Sequence, residues 1–389
     1  MDEVESRLGA VLGDPGRTVP PADLAERVHR GVAVRRRRRR ALAFAAAACA
    51  VALAAAVPVA WREIGGQGQT VANSVNGLGD LVDLPGSAAL PAKTTEGAEF
   101  FPESLGEDGS VLGRSRKKLW EWGPEGGPLR PLGAASGATP ATGPSVRVWP
   151  GTNIVTPLYC RDRNGTTPVM PENMVGTSLW VSGGTIVGSD TTLRPWAAKG
   201  CTKGAAVPGA AGEAVAFSYP DLFVADPSKA NGLRQVDVES GALVAERPLP
   251  EGVNVRTSAD RSQLWLGAAN RDTFAWVVDG VLRTADRADW RVTEGPRVPP
   301  AGEIIVGGGT QLADGRTFNA QYPRLYARLT AGDRLIAYSG LTPGEGASWQ
   351  SLVYDPRSGQ SFAFKGLAYA AGDWLLWNDG ASYRLARVR

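Results

Sequence analysis

Histidine is nearly missing from this chain. Its one histidine, His29, precedes a block of arginines, and residues 62–389 contain none. That removes Ser–His and Cys–His nucleophilic catalysis, histidine general bases and histidine-ligated zinc from most of the sequence. Cysteine is almost as scarce, at three residues, so thiolate chemistry has few places to occur. No phosphate-binding loop is present: Val306-Gly307-Gly308-Gly309 lacks the Lys and Ser/Thr that such a loop needs and reads as a turn. No alternating-acid calcium loop occurs either. The expectation is a non-enzyme with no cofactor and no resident metal.

A strong net field is also lacking. The formal charge is +3 over 389 residues. Residues 1–40 hold 10 Lys/Arg against 6 Asp/Glu, which leaves 32 against 33 in the remainder. The large C-terminal part is thus near neutral and has no basic footprint for nucleic acid.

What is present begins with Arg35, Arg36, Arg37, Arg38, Arg39 and Arg40, followed by an uncharged, alanine-rich run over 41–61. Twenty-one such residues suffice to cross a hydrocarbon core of about 30 Å as a helix. Leu42, Phe44, Val51, Leu53, Val57 and Val59 carry its hydrophobicity, and Trp61 stands where an interfacial aromatic belongs. The one-sided arginine block sets the orientation: residues 1–40 a basic cytoplasmic stub, 41–61 a transmembrane helix, the rest outside at the cell membrane. Weaker readings of the same segment are a cleaved signal peptide, a twin-arginine signal at Arg39-Arg40-Ala41-Leu42, a lipoprotein box at Cys49, and a soluble core helix. Lipid is therefore the first expected partner. Residues 1–34 contain two short helical patterns that offer a surface to a cytoplasmic protein partner.

Val19-Pro20-Pro21-Ala22-Asp23-Leu24-Ala25-Glu26-Arg27-Val28, an arginine run and one apolar helix together resemble actinobacterial single-pass membrane proteins, some of which are anti-sigma regulators. The zinc-binding version of that regulator needs a His with two close Cys. The stub has only His29, so the resemblance extends to a transmembrane regulator without the zinc site.

Residues 62–95, rich in Gly, Asn, Ser, Pro and Ala, read as a linker that ends near a first strand. Beyond it a polar turn followed by a short apolar strand recurs at 107–112, 144–148, 177–181, 220–224, 259–265, 332–338 and 372–377. Most intervals are near 40 residues, the signature of a β-propeller. One longer interval leaves room for a further strand set at Glu303-Ile304-Ile305-Val306. Asp237-Val238-Glu239-Ser240-Gly241 and Asp355-Pro356-Arg357-Ser358-Gly359 repeat an Asp turn closed by Gly, and Asp279-Gly280 and Asp379-Gly380 add hairpin signals. These hairpins resemble those of WD40 and quinoprotein-like propellers. The fold class expected for 96–389 is therefore all-β, a propeller of about seven blades, with six or eight open and a pair of β-sandwiches as the alternative.

An oxidising compartment makes a disulfide between Cys160 and Cys201 the expectation. Trp120, Trp180, Trp265 and Trp377 fall inside strand patterns and read as core. Trp149, Trp196, Trp290 and Trp349 fall near expected loops and are the candidates for a ligand face, for a protein or a small molecule. Ser258–Trp265 loosely resembles the Asp-box turn of sialidase-like propellers, which keeps a carboxylate-based glycan hydrolase as a second alternative. The leading expectation is an extracytoplasmic interaction or ligand-sensing propeller on a membrane anchor.

Overall fold

The computed structural model describes residues 75–134, 139–151, 158–168, 179–189, 194–226, 232–250, 267–301, 303–311, 317–325, 327–342 and 348–389. The arginine block, the apolar run 41–61 and the repeat copy at 259–265 lie outside these residues. Among the described residues no helix is long and apolar enough to cross a membrane.

Seven four-stranded antiparallel sheets follow one another along the chain. Blades 1 to 6 span 101–134, 141–168, 179–206, 213–247, 267–297 and 327–365, each running in sequence order from its first strand to its fourth. Blade 7 takes three strands from 368–387 and its outermost strand, Ala88–Ala89, from the N-terminal side. The first strands of the blades touch in sequence, and that of blade 7 touches that of blade 1. The ring is closed, with seven blades around one axis.

Each blade is apolar on both faces because it is packed between two neighbours. Phe223 of blade 4 meets Phe274 of blade 5 with ring centroids 4.8 Å apart, and Trp276 lies in the same cluster. Trp120 and Trp122 of blade 1 pack with Tyr369 and Leu376 of blade 7. Trp120 and Trp377 are buried as expected, and Trp180 sits half-buried at the border of a cluster.

Five repeat copies occupy the turn between a blade's first and second strands: 107–112, 144–148, 220–224, 332–338 and 372–377. The copy at 177–181 instead falls on the first strand of blade 3, Leu179–Ser182; the matching turn is Gly183-Gly184. In blade 5 the matching turn is Asn270-Arg271-Asp272, ahead of Thr273–Val278. Counted by these turns, the long interval hides no extra blade. Glu303–Gln311 and Thr317–Leu325 form a two-stranded hairpin inserted between blades 5 and 6, so Glu303–Val306 belongs to an excursion.

The segment read as a linker contributes directly to the ring. Leu78, Leu81 and Val82 are buried with Leu335, Val353, Leu375 and Trp377 of blades 6 and 7. Ala88 and Ala89 pair with Leu385 and Arg384, Val82 bridges Val388, and Arg389 N–H donates to the Leu81 carbonyl at 2.8 Å. The propeller thus begins well before residue 96.

Between neighbouring blades lie specific staples. Arg147 of blade 2 pairs with Glu121 at 2.6 Å and Asp108 at 3.1 Å in blade 1. A Cys160–Cys201 disulfide joins the third strand of blade 2 to the turn after the third strand of blade 3, with Cα atoms 5.4 Å apart. Its sequence separation of 41 is about one blade repeat. Arg287 of blade 5 pairs with Asp221 of blade 4 and lies over Phe223. Asn270 Nδ2 donates to the Gly332 carbonyl of blade 6 at 2.6 Å, and Ala368 N–H of blade 7 donates to Ser339 Oγ of blade 6 at 2.9 Å. Between blades 7 and 1, Gly109 has φ +78°, and a Cβ there would come within 2.6 Å of the Trp374 ring. Only glycine fits that approach.

Both Asp turns form. Asp237 Oδ1 accepts from Ser240 N–H and Oγ, each at 2.7 Å, and Gly241 exits with φ +71°. Asp355 is fully buried and accepts from Arg357 N–H at 3.0 Å, Ser358 Oγ at 2.9 Å, and Arg334 Nε and Nη2 at 3.0 and 2.8 Å. Burial pushes its carboxyl up, but the Arg334 and turn hydrogen bonds outweigh that and hold it below the usual carboxylate range. A depressed folded value stabilises the fold above the ordinary aspartate range and loses that stabilisation as pH falls through the folded value. Asp355→Asn is expected to lower stability near neutrality by about 3 kcal/mol, because Arg334 loses its charge partner. Urea midpoints of parent and variant are expected to converge as the pH is lowered; a constant gap would contradict this.

Candidate functional site

The strand order gives the ring two unlike faces. One, the turn face, carries the turns between strands one and two and between strands three and four of each blade. The other, the crossover face, carries the turns between strands two and three and the blade-to-blade connections. On the turn face the inner ends are tied together: Glu107 of blade 1 reaches past blade 2, accepting from Ser182 Oγ at 2.5 Å and Gly183 N–H at 3.0 Å in blade 3. Ser182 Oγ in turn accepts from Tyr219 N–H of blade 4 at 3.0 Å.

The crossover face is different in the sector of blades 6, 7 and 1. Arg328, second residue of the first strand of blade 6, Ala327–Ala331, points past blade 7. Its Nη1 donates to Tyr369 Oη and to the Glu103 carbonyl oxygen of blade 1, both at 2.6 Å. Tyr369 Oη then donates to the Pro102 carbonyl at 3.2 Å. The Arg328 guanidinium lies 5.9 Å from the Trp349 ring centroid and 5.7 Å from that of Tyr369, within cation–π range. Glu103 is paired with Arg114 at 2.9 Å, each about one-fifth exposed. Phe101, at the start of the same strand of blade 1, is 57 % exposed. An exposed aromatic thus opens the strand whose Pro102 and Glu103 carbonyls are reached by Tyr369 and the half-buried Arg328.

Burial pushes the Glu103 carboxyl up, against the opposing pull of Arg114 and Arg328. Burial likewise raises the Tyr369 phenol, again opposed by Arg328, so that hydroxyl stays neutral and available as a donor. No nucleophile–base pair is built here. Among the described residues no group of three or more His, Cys, Asp or Glu side chains is placed to hold a metal ion.

Of the four tryptophans expected on a ligand face, Trp349 belongs to this cluster. Trp149 does not: it is buried to 2 % exposure between Leu112, Leu119 and Tyr159. Trp196 is buried to 1 % with Val148, Cys160 and Ile186. Both lie in strands whose large rings fill the space between blades, so neither offers a surface. Trp290 is half-buried in a turn-face loop, φ +56°, beneath Arg247 and against Phe274. Residues 101, 103 and 328 escaped the sequence reading. Nothing in the local pattern distinguishes an arginine at the second position of an inner strand from one on the surface.

No family model and no curated protein matches the chain. Solved structures do. The WD40 β-propeller domain of Doa1 is 10 % identical, with 78 % of this chain and 97 % of that one covered and a TM-score of 0.41. The chain is similar to WD40 propeller domains. The Myceliophteria thermophila Cps50 (Swd1) β-propeller domain is 8 % identical over 78 % and 98 %, TM-score 0.44, and a chain of the mitotic checkpoint complex 9 % over 83 % and 98 %, TM-score 0.42. The fold itself rests on the closed ring of seven sheets.

Removing the Arg328 charge tests the cluster. Arg328→Gln is expected to lower stability by about 2 kcal/mol through loss of charge-assisted hydrogen bonds. It is also expected to raise the Glu103 carboxyl further, since an opposing cation is gone. Carboxyl NMR titration reads the second effect, and an unmoved Glu103 would contradict the coupling.

Proposed function

We propose that this chain is a non-catalytic interaction propeller held on the outer side of a membrane, and that it engages its ligand at the crossover-face mouth around Arg328. In this reading residues 1–40 remain cytoplasmic, 41–61 cross the bilayer and the seven blades stand outside. The observation that carries the binding site is the Arg328, Trp349 and Tyr369 cluster, with Phe101 exposed in the strand whose Pro102 and Glu103 carbonyls that cluster reaches: aromatic and arginine anchors are what binding surfaces favour. The Cys160–Cys201 disulfide supports an oxidising location. The absence of catalysis is supported by where the carboxylates are committed. Asp237, Asp355 and Asp379 hold turns, and Glu103 and Glu121 pair with arginines. A regulator acting through residues 1–34 is compatible with the same topology, the propeller then being its sensing end.

Two readouts in intact cells test the proposal. Alkaline phosphatase fused after Arg389 is expected to be active, as export requires. A photo-crosslinking residue at Phe101 is expected to give a discrete adduct that Arg328→Gln abolishes, whereas the same residue at Thr166 on the blade 2 rim gives none. An inactive fusion would overturn the topology. Equal adducts at both positions, or none at Phe101, would overturn the site.

A further inference from the structure

A partly buried arginine in this protein nearly always faces a carboxylate of its own chain. Arg147 pairs with Glu121, Arg287 with Asp221 and Arg334 with Asp355. Among the described residues only Arg247 and Arg328 of the partly buried arginines lack such a partner. Arg247 lies over the Trp290 ring with its Nε shut off from solvent. Arg328 differs. Its Nη1 is committed to Tyr369 Oη and the Glu103 carbonyl oxygen. Its Nε and Nη2 bond nothing among the described residues and, unlike Arg247 Nε, stay open to solvent. Those two nitrogens form the side-on fork of a guanidinium, the geometry that matches a carboxylate. Arg334 presents the same pair, Nε and Nη2, to Asp355 at 3.0 and 2.8 Å. The Glu103 carboxylate does not fill the fork, being held instead by Arg114 at 2.9 Å. Trp349, whose ring the Arg328 guanidinium approaches, also has an indole N–H that is unpartnered among the described residues and open to solvent.

We propose that the crossover-face mouth takes a carboxylate, held side-on by Arg328 Nε and Nη2 and flanked by Trp349. This rests on that mouth being the binding face and adds the chemistry of what binds there. The opposite mouth is unsuited to an anion. The inner turns of the turn face carry Glu107, Asp272, Asp333 and Asp373. Burial, then the charges of Asp373 and Asp272, push the Asp333 carboxyl up, offset in part by Arg357 and Arg271. A negative group is therefore favoured at the crossover end of the ring. A single guanidinium also suits a singly charged planar group, whereas phosphate recognition calls for a cluster of arginines. A free small acid and the C-terminus of a peptide both present that carboxylate.

The test uses the full-length chain, isotope-labelled and purified in detergent, and reads the NMR signals of Arg328 Nε–H and the Trp349 indole N–H. Benzoate represents a free small acid, N-acetylphenylalanine a peptide C-terminus, and N-acetylphenylalanine amide is the uncharged control. At least one acid is expected to shift both signals saturably, with half-saturation below about 10 mM, while the amide leaves them in place. The acid that binds more tightly identifies the source. Arg328→Lys keeps the charge but not the fork, and is expected to weaken binding read at Trp349 at least about tenfold. Inorganic phosphate is the competing anion. Signals unmoved by either acid, an amide that shifts them equally, or phosphate binding more tightly than both acids overturns the proposal. If the Phe101 adduct still forms and still needs Arg328, that result removes the carboxylate and leaves the binding face standing.

Discussion

The ring depends on one junction, where the N-terminal side of the propeller is laid into blade 7. A row of blades with two free ends would leave an apolar face exposed at each, since every blade buries itself only against its neighbours. The junction removes both ends. Ala88–Ala89 completes the blade 7 sheet, while Leu78, Leu81 and Val82 fill the gap between blades 6 and 7. The chain's first described residues and its last, Arg389, are joined by main-chain hydrogen bonds. These contacts span nearly the whole described sequence, so they form at a high loop-closure cost and hold the circle together once formed.

Local staples then fix the blades relative to one another. They are chemically varied: an arginine with two carboxylates, a disulfide, a guanidinium over a phenyl ring, an asparagine on a carbonyl, a serine on a main-chain amide. The tied inner ends of the turn face, with Glu107 reaching to blade 3, contrast with the aromatic and charged crossover-face mouth at Arg328. The two faces of the ring are thus chemically unlike.

Much of this was legible in the residues, for identifiable reasons. The Asp turns at 237 and 355 announce themselves because a carboxylate, a serine and a left-handed glycine are needed together. The Cys160–Cys201 pairing was legible because these are the two cysteines outside the apolar run, and their separation of 41 is about one blade repeat. Other features hid. Ala88–Ala89 is a two-residue strand inside a Gly- and Ser-rich stretch, and nothing in its own composition says that it pairs with residues 384 and 385. Inner strands near the crowded axis, such as Ala141–Gly143 and Gly267–Ala269, are short and made of small residues, which blurs the repeat frame and let the copy at 177–181 fall on the wrong strand. Trp149 and Trp196 looked loop-borne because their strands are short, yet their bulk is what separates one blade from the next.

Native-state hydrogen exchange on Leu81→Ala tests the role of the junction most directly. Removing that buried side chain costs about 3 kcal/mol where the site cannot collapse. If the ring stands or falls as a unit, the amide of Val224, in the buried second strand of blade 4 far from the substitution, loses protection by the same free energy as that of Leu385, in the strand that Ala88–Ala89 completes. Protection lost at Leu385 and unchanged at Val224 would show that blade 7 opens alone, and would contradict the dependence of the whole ring on its closure.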